Sequence, residues 1–119
     1  MSRDPCDRLD DIIERIDAAT RAEHLLAQAE AANNRELAST LIDAILYDLV
    51  IIGEAIKALP EEFRVNQGDV PWSLAAKLRD RLAHHYFNVD LSIIRQTLDT
   101  PLATLRAACF KLKDRFCAP

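Results

Sequence analysis

Gly53 and Gly68 are the only glycines among 119 residues, and Pro5, Pro60, Pro71, Pro101 and Pro119 are the only prolines. With so little punctuation, a high alanine and leucine content, and apolar residues recurring at helical spacing, the chain is predicted to be all-α. Half of its residues are apolar, so at this length one domain spanning 1–119 with a single core is expected.

Leu9, Ile12, Ile13, Ile16 and Ala19 form a first helical stripe, continued weakly by Leu25, Leu26 and Ala29. "ANNRE" reads as a break and restart, with Asn33 as N-cap and Glu36 completing a capping box. The second helix, residues 36–59, carries Leu37, Leu41, Ala44, Ile45, Ile52, Ala55, Ile56 and Leu59 on one face. Ile42, Leu46, Leu49 and Val50 widen that apolar surface, as in a helix central to a bundle or shared with a subunit interface. Gly53 costs about 1 kcal/mol of helix propensity relative to alanine, which suggests close approach of another backbone. Pro60 ends this helix.

"EEFRVNQGDV" reads as a loop. Pro71 suits the first turn of a third helix with Trp72, Leu74, Ala75, Leu78 and Leu82 on its buried side. Asp90 can cap a fourth helix reaching about residue 100, and Pro101 begins or kinks a last segment with Leu102, Leu105, Ala108, Cys109 and Leu112 on one face. The expected architecture is an up-and-down bundle of four to five helices.

No apolar run is long enough to span a bilayer, and the N-terminus lacks the apolar stretch of a signal peptide, so a cytoplasmic location is expected. Cys6, Cys109 and Cys117 are odd in number and form no C-x-x-C pair. They read as reduced thiols, with Cys109 buried, rather than as a disulfide or zinc framework. Neither a metal nor a cofactor is called for. The net charge of −4 hides an asymmetry: residues 1–64 hold 14 acids and 7 bases, residues 65–119 hold 5 acids and 8 bases. A polyanion, if bound, should contact the later part.

The densest chemistry lies in "RDRLAHHYF", residues 79–87. On a straight helix Arg79 and Tyr86 share an edge beside the buried stripe, His85 turns toward the core, and His84 falls about 140° from Arg79. A structural reading makes His85 an interior histidine and leaves the rest as helix solvation. A functional reading uses the same groups for RNA cleavage. Histidine titrates near neutrality and can move a proton, while arginine can hold a phosphate in a bidentate fork. Two such helices meeting at a dimer interface could complete a cleft.

The spacing Arg79-x-x-x-x-His84-x-Tyr86, with Asp80 after the arginine, resembles the signature of HEPN-domain ribonucleases, specifically the HepT toxins. "DRLDDIIERID", "LVIIGEAIKALPEEF" and "VPWSLAAKLRDRLAHHYFNVDLSII" extend the resemblance over most of the chain. It implies a helical HEPN bundle, usually homodimeric, acting as a metal-independent endoribonuclease toxin with tRNA as a target class. It also implies an MntA-like nucleotidyltransferase antitoxin that silences the toxin by transferring AMP to the motif tyrosine. On this sequence Arg79 and His84 would be catalytic, Asp80 supporting and Tyr86 the acceptor. His85 stays open between core, substrate contact and supporting base. The alternative is a non-catalytic helical subunit that binds a nucleotidyltransferase.

Outside the motif, His24 reads as a surface or packing residue rather than a ligand. Asp7, Asp10, Asp11, Glu14 and Asp17 read as a solvated helix face. Glu54 either pairs with an arginine near the cleft or serves local packing, and "KLKDRF" offers a basic helix end that could track phosphates.

Overall fold

The structure, a computed structural model, describes residues 4–68, 70, 72, 73, 95 and 99–118. Its described elements are all helices: α1 (Pro5–Ala31), α2 (Arg35–Lys57), α3 (Glu61–Asn66) and α4 (Thr100–Phe116). The all-α expectation holds. Among the described residues no helix is long and apolar enough to cross a membrane.

Helix α1 begins where Asp4 accepts a hydrogen bond from the Cys6 backbone N–H at 2.7 Å, with Pro5 in the first turn, where its missing N–H is no loss. Leu9, Ile12, Ile16, Ala19, Leu26 and Ala29 are buried as their spacing predicts, whereas Leu25 is half exposed. The connection to α2 departs from expectation by one residue. Asn34, not Asn33, is the N-cap, accepting from the Leu37 N–H at 3.2 Å. Asn33 takes φ 55°, a left-handed position that asparagine tolerates better than most residues, and so turns the chain.

Helix α2 buries Ile45, Leu46, Leu49, Ile52, Gly53, Ala55 and Ile56. Of the predicted face Ile45, Ile52, Ala55, Ile56 and Leu59 are buried, whereas in the first half of the helix Leu37 and Ala44 are exposed and Leu41 is half-buried; Leu46 and Leu49 join the buried surface. Because apolar side chains cover more than half of this helix, periodicity alone does not choose among its faces. The predicted loop after Pro60 is instead the short helix α3, with Glu61 and Glu62 favourably placed in its first turn. Every residue of the predicted last stripe, Leu102, Leu105, Ala108, Cys109 and Leu112, is buried in α4.

Three cross-links tie α1 to α4 in one antiparallel register. Cys6 is bridged to Cys117, Asp10 pairs with Lys113 at 2.6 Å, and Asp17 accepts from Arg106 at 2.8 and 3.3 Å. Steps of four and seven residues forward on α1 match four and seven backward on α4, spacings that stay on one helix face. This corrects two expectations. Cys6 and Cys117 are not reduced thiols: they are 111 residues apart in sequence, but the helix register brings their Cα atoms to 6.0 Å. Asp10 and Asp17 are not merely solvated either, since they bind the basic side chains of α4. Cys109 is the free, buried thiol that was expected.

Between α1 and α2 lies a pair with no warning in the apolar pattern. Asp48, 4% exposed, accepts from the Arg15 guanidinium at 3.0 Å. Burial pushes the Asp48 carboxyl up from the ordinary aspartate value of 3.8, against the opposing pull of Arg15 and Arg21. The folded chain thus holds this proton to higher pH than the unfolded chain. Stability from this group is complete below 3.8 and is lost as pH rises through the raised native value. Arg15→Met removes the main counter-charge, and its cost at neutral pH is expected to be about 2–3 kcal/mol, less than for a fully dry pair because Arg15 is partly exposed. Urea unfolding at neutral pH and at about pH 4.5 checks this: the loss should shrink in acid, where Asp48 can protonate. Equal losses at both pH values would contradict it.

Candidate functional site

Arg79, Asp80, His84, His85 and Tyr86 lie outside the described residues, so the site is approached through what holds the two ends of their segment. On the N-terminal side the holding group is Trp72. Its indole N–H donates to the carbonyl oxygens of Arg64 at 3.1 Å and Gln67 at 3.0 Å, and its ring is half-buried against the core. A buried indole needs such a partner, and the C-terminal end of α3 supplies spare carbonyls. Val70 is buried beside it, its N–H donating to Gln67. The "EEFRVNQ" stretch therefore builds a seat for the aromatic residue that opens the motif segment.

Helix α3 is itself held by α4. Phe63 is buried, and its ring stacks on Phe116 with centroids 4.4 Å apart and planes 12° from parallel. Offset stacking of this kind contributes about 0.5–1.5 kcal/mol beyond burial.

On the C-terminal side Arg95 fastens the chain to α1. Its Nε donates to Glu23 at 3.1 Å, and its terminal nitrogen binds Glu30. Glu23 and Glu30 are seven residues apart and so lie on one face of α1. The Glu30 hydrogen bond, outweighing desolvation, raises the Arg95 pKa and keeps the guanidinium charged. Thr20, Glu23, His24, Arg95 and Asp99 line a cavity of about 310 Å³ here. His24 is exposed, in keeping with a surface role.

These contacts reshape the charge argument. Of the bases in residues 65–119, Arg95, Arg106 and Lys113 are taken up by carboxylates of α1. The basic character of the later half is therefore partly offset at α4, where Arg106 and Lys113 are paired while Lys111 and Arg115 of the "KLKDRF" end are exposed. Nothing in the local spacing could have shown these pairs, because each depends on which helices become neighbours. Glu54 is exposed on α2.

A family model described as Ribonuclease HepT-like matches residues 9–112. A candidate RNase of Caldanaerobacter subterraneus is 48% identical over 58 residues, covering 49% of this chain and 52% of that protein. A candidate ribonuclease HepT of Thermococcus cleftensis is 36% identical over 70 residues, 59% of this chain and 64% of that one. A candidate RNase of Methanocaldococcus jannaschii is 32% identical over 87 residues, 73% of this chain and 69% of that one. The chain spans about half the length of several curated relatives it matches. No solved structure matches it. With a family match running from the first core residue of α1 to the last of α4, the chain belongs to the HepT-like ribonuclease family.

Proposed function

We propose that this protein is a HEPN-type, metal-independent endoribonuclease toxin of the cytoplasm, with Arg79 and His84 as its catalytic pair. The observation that carries the reading is the Arg79-x-x-x-x-His84-x-Tyr86 pattern inside a chain of the HepT-like ribonuclease family. In the reaction the ribose 2′-hydroxyl attacks its own phosphate, and the 5′-oxygen of the next nucleotide leaves. Arg79 balances the charge that builds on the phosphorane, and His84 takes or gives the proton. The products are a 2′,3′-cyclic phosphate and a 5′-hydroxyl. Asp80 and His85 support the catalytic pair. Transfer RNA is the substrate class.

The working form is a homodimer. Support comes from α2, where the large apolar side chains of Leu37 and Tyr47 are exposed on the part of the helix that the core leaves uncovered. A second copy of the motif segment would close the 140° gap that a straight helix leaves between Arg79 and His84, a gap of about that size by helical geometry.

The toxin is held in check by an MntA-like nucleotidyltransferase that moves AMP from ATP onto the Tyr86 hydroxyl, releasing pyrophosphate. The added phosphate places negative charge and bulk where RNA phosphate must sit. Co-expression with the neighbouring nucleotidyltransferase, followed by peptide mass spectrometry, is expected to show AMP on Tyr86 and none on Tyr47. AMP elsewhere, or none at all, overturns the switch. In the same cells, wild type without the antitoxin should arrest growth, and equal arrest by Arg79→Ala and His84→Ala would overturn the toxin assignment.

A further inference from the structure

Cys6 and Cys117 form the end rung of the α1–α4 ladder, and both are only half-buried. The two helices share one buried core, Leu9, Ile12 and Ile16 with Leu105, Cys109 and Leu112, so their packing does not depend on the sulfurs and keeps the two chain segments near each other with the bridge open. Reduced thiols held this way remain poised to re-form the bond, because the second step of closure is intramolecular. In a cytoplasmic protein a disulfide is expected to respond to the thiol pool rather than to persist as a fixed staple. Cys109 cannot substitute in this chemistry: it is fully buried, and burial pushes its thiol up to about 12.

A short run of contacts leads from the bridge to the motif segment. Cys117 follows Phe116, whose ring stacks on Phe63 of α3. Arg64, the residue after Phe63, and Gln67 supply the carbonyls that hold the Trp72 indole. Phe116 lies at the last position of α4, where a helix end frays unless something ties it down. The bridge is that tie.

We propose that Cys6 and Cys117 are a reversible oxidation site, and that its closure fixes the Phe116–Phe63 stack and hence the Trp72 seat. The reactant is a low-molecular-weight disulfide of the glutathione type. One protein thiolate attacks it, forming a mixed disulfide and expelling one small thiolate. The other protein thiolate then attacks the mixed disulfide and expels the second. Two protein thiols are oxidised to one disulfide, and one small disulfide is reduced to two thiols. Reduction of the bridge runs the same steps backwards and loosens the start of the motif segment. Its bearing on RNA cleavage rests on the ribonuclease reading, but its effect on Trp72 does not.

Trp72 is the only tryptophan in the chain, so its fluorescence reports on the seat directly. Acrylamide quenching of the folded full chain is measured oxidised and after dithiothreitol, with circular dichroism confirming that it stays helical. Reduction is expected to raise the quenching constant by roughly twofold, as local opening exposes the ring. Cys117→Ser should match the reduced wild type in both conditions, and Phe116→Ala should show the raised value with the bridge intact. Equal quenching of oxidised and reduced wild type overturns the proposal, as does a response to dithiothreitol in Cys117→Ser. The reading needs no RNA, so a chain that cleaves nothing still tests the clasp.

Discussion

His84→Ala is expected to lower RNA cleavage by about 10²- to 10⁴-fold, the range for loss of a positioned acid or base. Arg79→Ala should cost about 10²- to 10³-fold, as for loss of one preorganised charge-stabilising donor. The two groups act on one transition state, so the double variant should be little worse than the poorer single one. Arg79→Lys separates charge from geometry: lysine restores the charge but not the bidentate fork, and recovery should be partial. The comparison is made on purified proteins with matched circular dichroism. Loss of activity with unchanged helicity assigns the effect to chemistry, and unchanged cleavage in either alanine variant removes that residue from the catalytic pair.

The second large effect falls on stability. Cys6 and Cys117 close a loop with a sequence separation of 111 residues. In the chain-entropy view such a bridge restricts the unfolded state by about 5 kcal/mol, with measured bridges more often giving 2–4. A domain of this size has only about 5–15 kcal/mol in all, so the double variant Cys6→Ser/Cys117→Ser should lose a large share of it. The other rungs of the ladder are ion pairs at partly exposed positions, each contributing roughly 0–1 kcal/mol, and cannot replace it. Guanidinium unfolding of the oxidised protein and the double variant checks this. The midpoint should drop, and the slope should rise because the uncrosslinked unfolded chain exposes more surface. Coincident curves would show that the bridge contributes nothing to folding.

How far the sequence could be read depended on how many neighbours each feature needed. The stripes of α1 and α4 required only a period of 3.6 and one core to face, and their buried residues came out nearly as expected. On α2 the predicted face is buried from Ile45 to Leu59, but its earlier members Leu37 and Ala44 lie in the half of the helix that the core does not cover, which spacing alone does not show. The α1–α2 turn was legible to within one residue, because either asparagine could cap and only the left-handed φ at Asn33 decides between them. Arg15 with Asp48, Arg95 with Glu23 and Glu30, and Cys6 with Cys117 each join residues whose proximity exists only after the helices have packed. Counting cysteines and searching for C-x-x-C cannot find a pair made by helix register.

The motif is the reverse case. Its residue types and spacing name a chemistry at once, whereas the distances among Arg79, His84 and Tyr86 depend on a segment outside the described residues. What the structure adds is how that segment is tethered. Trp72 is held by the carbonyl end of α3, and Arg95 is held by two carboxylates of α1. The reading of "EEFRVNQ" as a plain loop missed this, because a six-residue helix leaves too few turns for a periodic signal.

The most direct test is RNA cleavage by the purified wild-type chain, freed of antitoxin, with a metal chelator present throughout. A metal-independent ribonuclease built on Arg79 and His84 should cut RNA under these conditions, leave 2′,3′-cyclic phosphate ends, and lose that activity in His84→Ala. RNA left intact by the wild-type chain, with or without chelator, would contradict it and would favour a helical subunit that binds a nucleotidyltransferase without chemistry of its own.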